Sequence, residues 1–347
     1  VIMTGMALAF WFLIDGLPKQ VSFVDALQIG SALGKTEAVD LTFNLNERYN
    51  VWSGLIGGLF LSLSYFGTDQ SQVARYLGGT NSLQSRVGMM FNAILKIPMQ
   101  FFILLTGVMV FVFYLFSPGP YYFKQTALEQ LPPQKIEQYE GEWKLLQENR
   151  RVASLAYAEN ESSTNKEILQ QSEEAVQAFR AQVKADLLAV DPEIETKDSD
   201  YVFIRFVLEH LPTGIIGLLL AVIFSAAMSS TSSELNALGS TSCVDIYHRL
   251  FKHDPSEAAK VRAGKVLTFL WGLIAIGFAL YARLLENLIE AVNILGSLFY
   301  GVILGIFLVA FFIKKVKGGA AFYAALVAQA AVITLFFQTD IGYLWYN

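Results

Sequence analysis

The chain has 347 residues, of which 54% are hydrophobic and 16% charged. Soluble domains carry about 25% charged residues, so the balance tilts toward lipid and excludes disordered, collagen-like and disulfide-scaffold classes. A net charge of −5 argues against nucleic acid as a partner, since such proteins show a basic stripe.

The sequence opens Val-Ile-Met-Thr, already apolar and with no basic n-region. It reads as a chain cut within a membrane segment, not as a signal peptide. Apolar stretches suited to spanning helices follow at 1–14, 51–70, 88–116, 214–236, 265–282, 291–313 and 319–338. Seven crossings are therefore expected. The first is short. The alternate loops 71–87, 237–264 and 314–318 carry Arg75 and Arg86, then Arg249, Lys252, Lys260 and Arg262, then Lys314, Lys315 and Lys317. The positive-inside rule puts these loops in the cytoplasm. Residues 117–212 hold 10 Lys/Arg against 17 Asp/Glu and belong outside, in an acidic extracytoplasmic loop 117–213. The expected organisation is thus 1–116 (with an outer loop 15–50), 117–213 and 214–347.

Two outer loops have helical patterning. Phe23, Ala26, Leu27, Gly30 and Leu33 form one stripe. In the long loop, Thr164 and Glu167 match a capping box ahead of Ala175, Phe179, Val183 and Leu187, and a solvated helical flap is expected there.

The fourth span holds the densest polar signal, from Phe224 to Asn236. Ser225, Ser229, Ser232, Ser233, Asn236 and Ser240 share one helical face. Hydroxyls grouped in this way suit either close helix packing or a monovalent cation that takes oxygen ligands. In the second span, Gly67 followed by Thr68, Asp69 and Gln70 can loosen the helix, as in the broken helices of transporters. Ser62 and Tyr65 lie deeper, while Arg75 and Tyr76 suit an interfacial helix end. Lys96 lies ten residues beyond Arg86, roughly 15 Å along the helix, beside Pro98 as a source of a kink. A lysine at that depth faces a cavity or partner, or else snorkels. Asn293, Gly296, Ser297 and Tyr300 form a weaker polar face in the sixth span.

One cysteine (Cys243) and three histidines (His210, His248, His253) offer no zinc constellation. Neither a P-loop nor a nucleophile–His–acid set is present, so no enzyme and no organic cofactor are expected.

Two stretches resemble the sodium:solute symporter family: Tyr65-Phe-Gly-Thr-Asp-Gln-Ser-Gln-Val-Ala-Arg-Tyr-Leu77, and Ala226-Ala-Met-Ser-Ser-Thr-Ser-Ser-Glu-Leu-Asn236 with Val244-Asp-Ile-Tyr247. Asn293 to Leu304 adds to the likeness, which covers the apolar parts of the chain but not 117–213. The resemblance implies an all-α integral membrane protein: seven transmembrane helices, made of the second half of a five-plus-five inverted-repeat (LeuT-like) bundle and one extra C-terminal helix. It also implies sodium-coupled import of a small organic solute, anionic or sugar, across the plasma (inner) membrane by alternating access. By that resemblance the Ala226 carbonyl and the Ser229 and Ser230 hydroxyls ligate sodium, Na+ being the coupling ion. Ser229, Ser232 and Ser233 match a further sodium site of some members. Ser62, Tyr65, Lys96 and Asn293 match substrate-facing or gating positions in the sugar-transporting branch. The run Gln70-Ser-Gln-Val-Ala-Arg-Tyr76 is closer to the monocarboxylate, vitamin and iodide branch, so the solute stays open. A transporter-like membrane sensor and a non-transporting structural subunit are the alternative roles.

Overall fold

The computed structural model describes the chain except at residues 1, 38, 48, 80, 193, 195, 197, 252–255 and 283–287. Lys252 and His253 thus lie outside the described residues. In chain order the helices are α1 (Ile2–Asp15), α2 (Phe23–Ala32), α3 (Val51–Thr68), α4 (Gln70–Leu77), α5 (Ser82–Phe116), α6 (Gln125–Leu128), α7 (Pro133–Glu159), α8 (Ser163–Val190) and α9 (Ser199–His210). Then come α10 (Thr213–Thr241), continued by a π-helical stretch Ser242–Phe251, α11 (Glu257–Ala282), α12 (Leu288–Phe312), α13 (Gly318–Gln338) and a 3-10 turn Tyr343–Tyr346.

Among the described residues six helices are long and apolar enough to cross a membrane: Val51–Thr68, Ser82–Phe116, Thr213–Arg249, Glu257–Leu280, Val292–Phe312 and Gly318–Gln338. The expected seventh, at 1–14, is a shorter apolar helix, Met3–Asp15. At 1.5 Å per residue it covers only about 20 Å of a ~30 Å hydrocarbon core. Large side chains such as Phe312 (78% exposed) and Phe337 (80%) project from these helices, an arrangement that lipid tolerates and water does not. The chain is a multi-pass membrane protein. Three expected boundaries move: α5 starts six residues before 88, α10 continues helically well beyond residue 236, and α11 starts eight residues before 265.

The chain forms two compact units, residues 1–38 with 94–226, and 39–93 with 227–347. In the first, Ala9 and Leu13 of α1, Ile29 of α2, Met109 and Phe113 of α5 and Phe206 of α9 share one core. The helix expected in loop 15–50 is α2, started by a reciprocal capping box between Ser22 and Asp25. The long loop 117–213 holds more structure than the single expected helix. Helices α7 and α8, 27 and 28 residues long, pack together across a three-residue link and so form an antiparallel hairpin. Tyr139, Trp143, Val176, Phe179, Val183 and Leu187 fill the seam.

Two details of the expected α8 are corrected. Its cap is Ser162, whose hydroxyl accepts from the Asn165 N–H, and not Thr164, which lies one residue inside the helix. Val176 is buried where Ala175 was expected, because the stripe follows the larger side chain. The flap is also not fully solvated: it rests on α2, where Gln170 Nε2 donates to the Ala32 carbonyl at 2.9 Å.

The hairpin is pinned at Asp186, which accepts a hydrogen bond from Tyr139 and pairs with Lys135 at 2.6 Å. Lys135 and then Tyr139 hold the Asp186 carboxyl below its ordinary range, while burial, then the bond to Asp186, pushes the Tyr139 hydroxyl upward. A depressed carboxyl stabilises the fold above its unfolded pKa and stops doing so as pH falls through its folded one. The hairpin is therefore expected to unfold at a lower temperature as pH drops from about 6 to about 3. The shift should be modest, because the pair is half exposed. Asp186→Asn should flatten that dependence in a melt followed by helix ellipticity. An equally steep slope in the variant would assign the acid sensitivity elsewhere.

In the second unit α3 packs on α12, and α12 on α13. The 3-10 turn lies against both α3 and α12. Glycine makes this approach possible: a Cβ at Gly57 would sit 2.1 Å from the Leu344 carbonyl oxygen.

Candidate functional site

The helix loosening expected at Gly67–Gln70 is a break at a single residue, Asp69, between α3 and α4. Asp69 is extended (φ −72, ψ 117) and caps α4, its side chain accepting from the backbone N–H groups of Ser71 and Gln72. This satisfies two of the N–H donors that a helix start leaves without partners. On the other side of the break, Thr68 turns its hydroxyl back to the Ser64 carbonyl at 2.9 Å.

The break is held in place by long-range contacts within the second unit. Ser64, fully buried, donates to the backbone carbonyl of Tyr300 on α12 at 2.9 Å. Ser71 Oγ lies 2.7 Å from Asp69 Oδ1 and 2.6 Å from Glu234 Oε1 on α10. A hydroxyl has one proton, so Ser71 donates to one carboxylate at a time. Tyr65 and Tyr300 are both half-buried, Tyr65 four residues before Asp69 on α3 and Tyr300 on α12, where its carbonyl takes the Ser64 hydroxyl. Gly296 leaves the Tyr300 ring its room, since a Cβ there would come within 3.2 Å of it. Outside the spans, burial and then Asp69 push the Tyr76 hydroxyl upward.

The result is a polar cluster of Tyr65, Asp69, Ser71, Glu234 and Tyr300, drawn from α3, α4, α10 and α12. Sequence reading anticipated the break. It missed the pairing of Ser71 with Glu234, although Glu234 is the first carboxylate in the serine run.

The serine-rich segment presents its oxygens openly. Ser229, Ser230 and Ser232 are exposed, while Ala226 and Ser233 are half-buried. Ser232 donates its proton to the Ser229 carbonyl at 3.1 Å, so its hydroxyl oxygen keeps its capacity to accept. Ser62 is exposed on α3, and Asn293 is half-buried on the neighbouring α12. Ser297, from the weaker polar face, is fully buried and accepts from Asn347 Nδ2 at 2.9 Å, so its role is packing. Lys96 is exposed near the middle of the 35-residue α5, which continues as a helix through Pro98. Lys96 and Ala226 fall in the first unit; the other expected site residues fall in the second. Among the described residues no three His, Cys, Asp or Glu side chains converge as metal ligands.

Residues 183–328 match the profile of the sodium:solute symporter family. That stretch contains the serine run and Asn293, and it begins inside α8, so the likeness reaches into 117–213, where none was expected. The chain is 33% identical over 144 residues to the sodium/sialic acid symporter SiaT of Proteus mirabilis (strain HI4320), covering 41% of this chain and 29% of that protein. Over a longer stretch it is 22% identical to the mouse (Mus musculus) sodium-coupled monocarboxylate transporter 1, covering 88% of this chain and 43% of the relative. The chain thus spans well under half the length of these relatives. A solved Na+-coupled sialic acid symporter, in a substrate-bound outward-open state, superposes with a TM-score of 0.65 at 20% identity, over 99% of this chain and 56% of that one. The chain has the fold of the matched part of that structure, and the match takes in the α7–α8 hairpin.

Proposed function

We propose that this chain, a member of the sodium:solute symporter family through residues 183–328, serves Na+-coupled import of a small organic solute by alternating access. The observation that carries this reading is the open face of hydroxyl oxygens on α10, lying within the family-matched stretch and clear of any divalent-ion constellation among the described residues. Sodium is a hard cation and binds oxygen. The Ala226 carbonyl and the Ser229 and Ser230 hydroxyls ligate the coupling ion, and Ser232 and Ser233 join Ser229 in a further site.

Ser62, Tyr65 and Asn293 take solute-facing or gating roles. Tyr65 has the strongest support, because it lies four residues before Asp69, at the helix break. Broken helices and rocking repeats are the working parts of such transporters. Lys96 supplies positive charge within a span, where charge is rarely placed without a function. The relatives named for sialic acid and monocarboxylates transport acids, and an acid group suits that lysine. Sialic acid is accordingly the first solute to test.

The membrane is the plasma (inner) membrane, with loops 71–87, 237–264 and 314–318 in the cytoplasm, where their basic residues favour them. Each sodium then enters down a membrane potential worth about 2.3 kcal/mol per charge per 100 mV.

The test is uptake of sialic acid and of short monocarboxylates into proteoliposomes carrying this protein, under an inward sodium or choline gradient. Sodium-stimulated accumulation of one of these acids is the expected result. Acids entering equally under both gradients, or none entering, would favour a sensor or structural subunit.

A further inference from the structure

The first unit holds a cavity of about 220 Å³ lined by α5, the segment that follows it and the α7–α8 hairpin, with none of the α10 serines among its walls. Its walls include Tyr114 of α5, Phe123, Trp143 and Arg150 of α7, and Glu173 and Arg180 of α8.

Two guanidinium groups face one carboxylate here, and the carboxylate is already used. Glu173 Oε2 takes Arg150 Nη1 at 3.1 Å, and Glu173 Oε1 takes Gln177 Nε2 at 2.6 Å. Arg150 spends Nη2 on the Tyr114 carbonyl at 3.2 Å, yet its Nε is buried with no partner, in a residue only 6% exposed. Arg180 lies against two rings, 5.5 Å from the centre of Phe123 and 5.9 Å from that of Trp143, and its buried Nε also lacks a partner. The buried Tyr114 hydroxyl lacks one too. Both ring contacts lie in the cation–π range but satisfy no N–H.

The unmet groups share a sign. Two are N–H donors that cannot accept, the third is a hydroxyl able to donate, and the cluster keeps one positive charge in excess. Leaving such donors buried and unpaired is costly. Water could satisfy the donors, but only an anion also answers the charge. Planar guanidinium groups match a carboxylate in geometry, and Val110, Phe111 and Val202 beside the two rings give the cavity an apolar wall for a carbon body. The volume lies below the ~300–1,000 Å³ of larger ligand sites, so the ligand is small.

We propose that this cavity is a binding site for a small organic carboxylate, gripped by Arg180 and Arg150 with Tyr114, and flanked by Trp143 and Phe123. It goes beyond the transport reading and does not depend on it.

The test is calorimetric titration of the detergent-solubilised protein with choline benzoate in sodium-free buffer, with benzamide and choline sulfate as parallel probes. Saturable benzoate binding is expected, with benzamide at least about tenfold weaker because it lacks the charge. Arg180→Gln should weaken benzoate at least about tenfold, and Tyr114→Phe several-fold. Ser229→Ala with Ser230→Ala should bind benzoate as the parent does. Should Arg180→Gln fail to fold, Tyr114→Phe, which removes one hydroxyl, decides alone. The proposal is overturned by an absence of saturable benzoate binding, by sulfate binding in its place, or by affinity unchanged in the folded cavity variants. Loss of benzoate binding in the serine variant would likewise move the ligand to the transport site.

Discussion

Replacing Ser229 and Ser230 together by alanine is expected to abolish sodium-stimulated solute uptake while leaving the protein folded in its membrane. Both hydroxyls lie exposed on α10, so their removal opens no cavity, and alanine is the better helix former. Folding should therefore change by no more than about 0.5 kcal/mol, the range of ordinary surface substitutions. The loss at the ion is larger. A sodium ion leaving water must exchange its hydration oxygens for protein oxygens, and no nearby carboxylate in the run before Glu234 can replace them. Initial uptake rates measured across sodium concentrations check this. The parent should show sodium stimulation and the variant none. A variant with the parent's sodium dependence would remove these serines from the ion site.

The second large effect falls on stability. Arg150→Met is expected to destabilise the α7–α8 hairpin by about 3–5 kcal/mol, the usual cost of stranding one partner of a buried pair. Arg150 and Glu173 are both nearly buried and 3.1 Å apart. Burial outweighs Glu173 and pulls the Arg150 pKa below its ordinary value, so the pair stands in a costly environment. It follows that Arg150→Met with Glu173→Leu should recover most of the loss, since a well-packed apolar pair often equals a buried ion pair. Denaturant unfolding of the two variants, followed by helix ellipticity, separates the cases. A double variant as unstable as the single would mean that Arg150 acts mainly through packing on Trp143, whose ring centre is 5.7 Å away.

The membrane helices were readable because each is a long apolar run, and their ends moved only where amphipathic turns continue the helix, as in the π-helical stretch Ser242–Phe251. Helix α2 was readable from its stripe, and the break at Asp69 from a glycine followed by polar residues. Helix α7 was not. Its buried face is Tyr139, Trp143, Arg150, Ala153, Ser154 and Tyr157, which mixes polar with apolar residues and hides the period. Ser162 escaped notice as a cap because a serine and a threonine two residues apart compete for that role, and backbone geometry decides between them.

The candidate site divides in the same way. The serine cluster is a local pattern, legible along one helix. Glu234 meeting Ser71, and Ser64 meeting the Tyr300 carbonyl, join residues 163 and 236 positions apart, and only tertiary packing brings them together. Lys96 was legible by its depth alone, and the 35-residue α5 keeps it near mid-helix.

Coupling is reciprocal: if sodium drives the solute inward, a solute gradient must also drive sodium. The most direct measurement is therefore entry of radioactive sodium into proteoliposomes held at equal sodium on both sides, with sialic acid or the transported acid added outside only. The account predicts transient sodium accumulation that vanishes in the Ser229→Ala, Ser230→Ala variant. Sodium entry indifferent to the solute in the parent protein would contradict it.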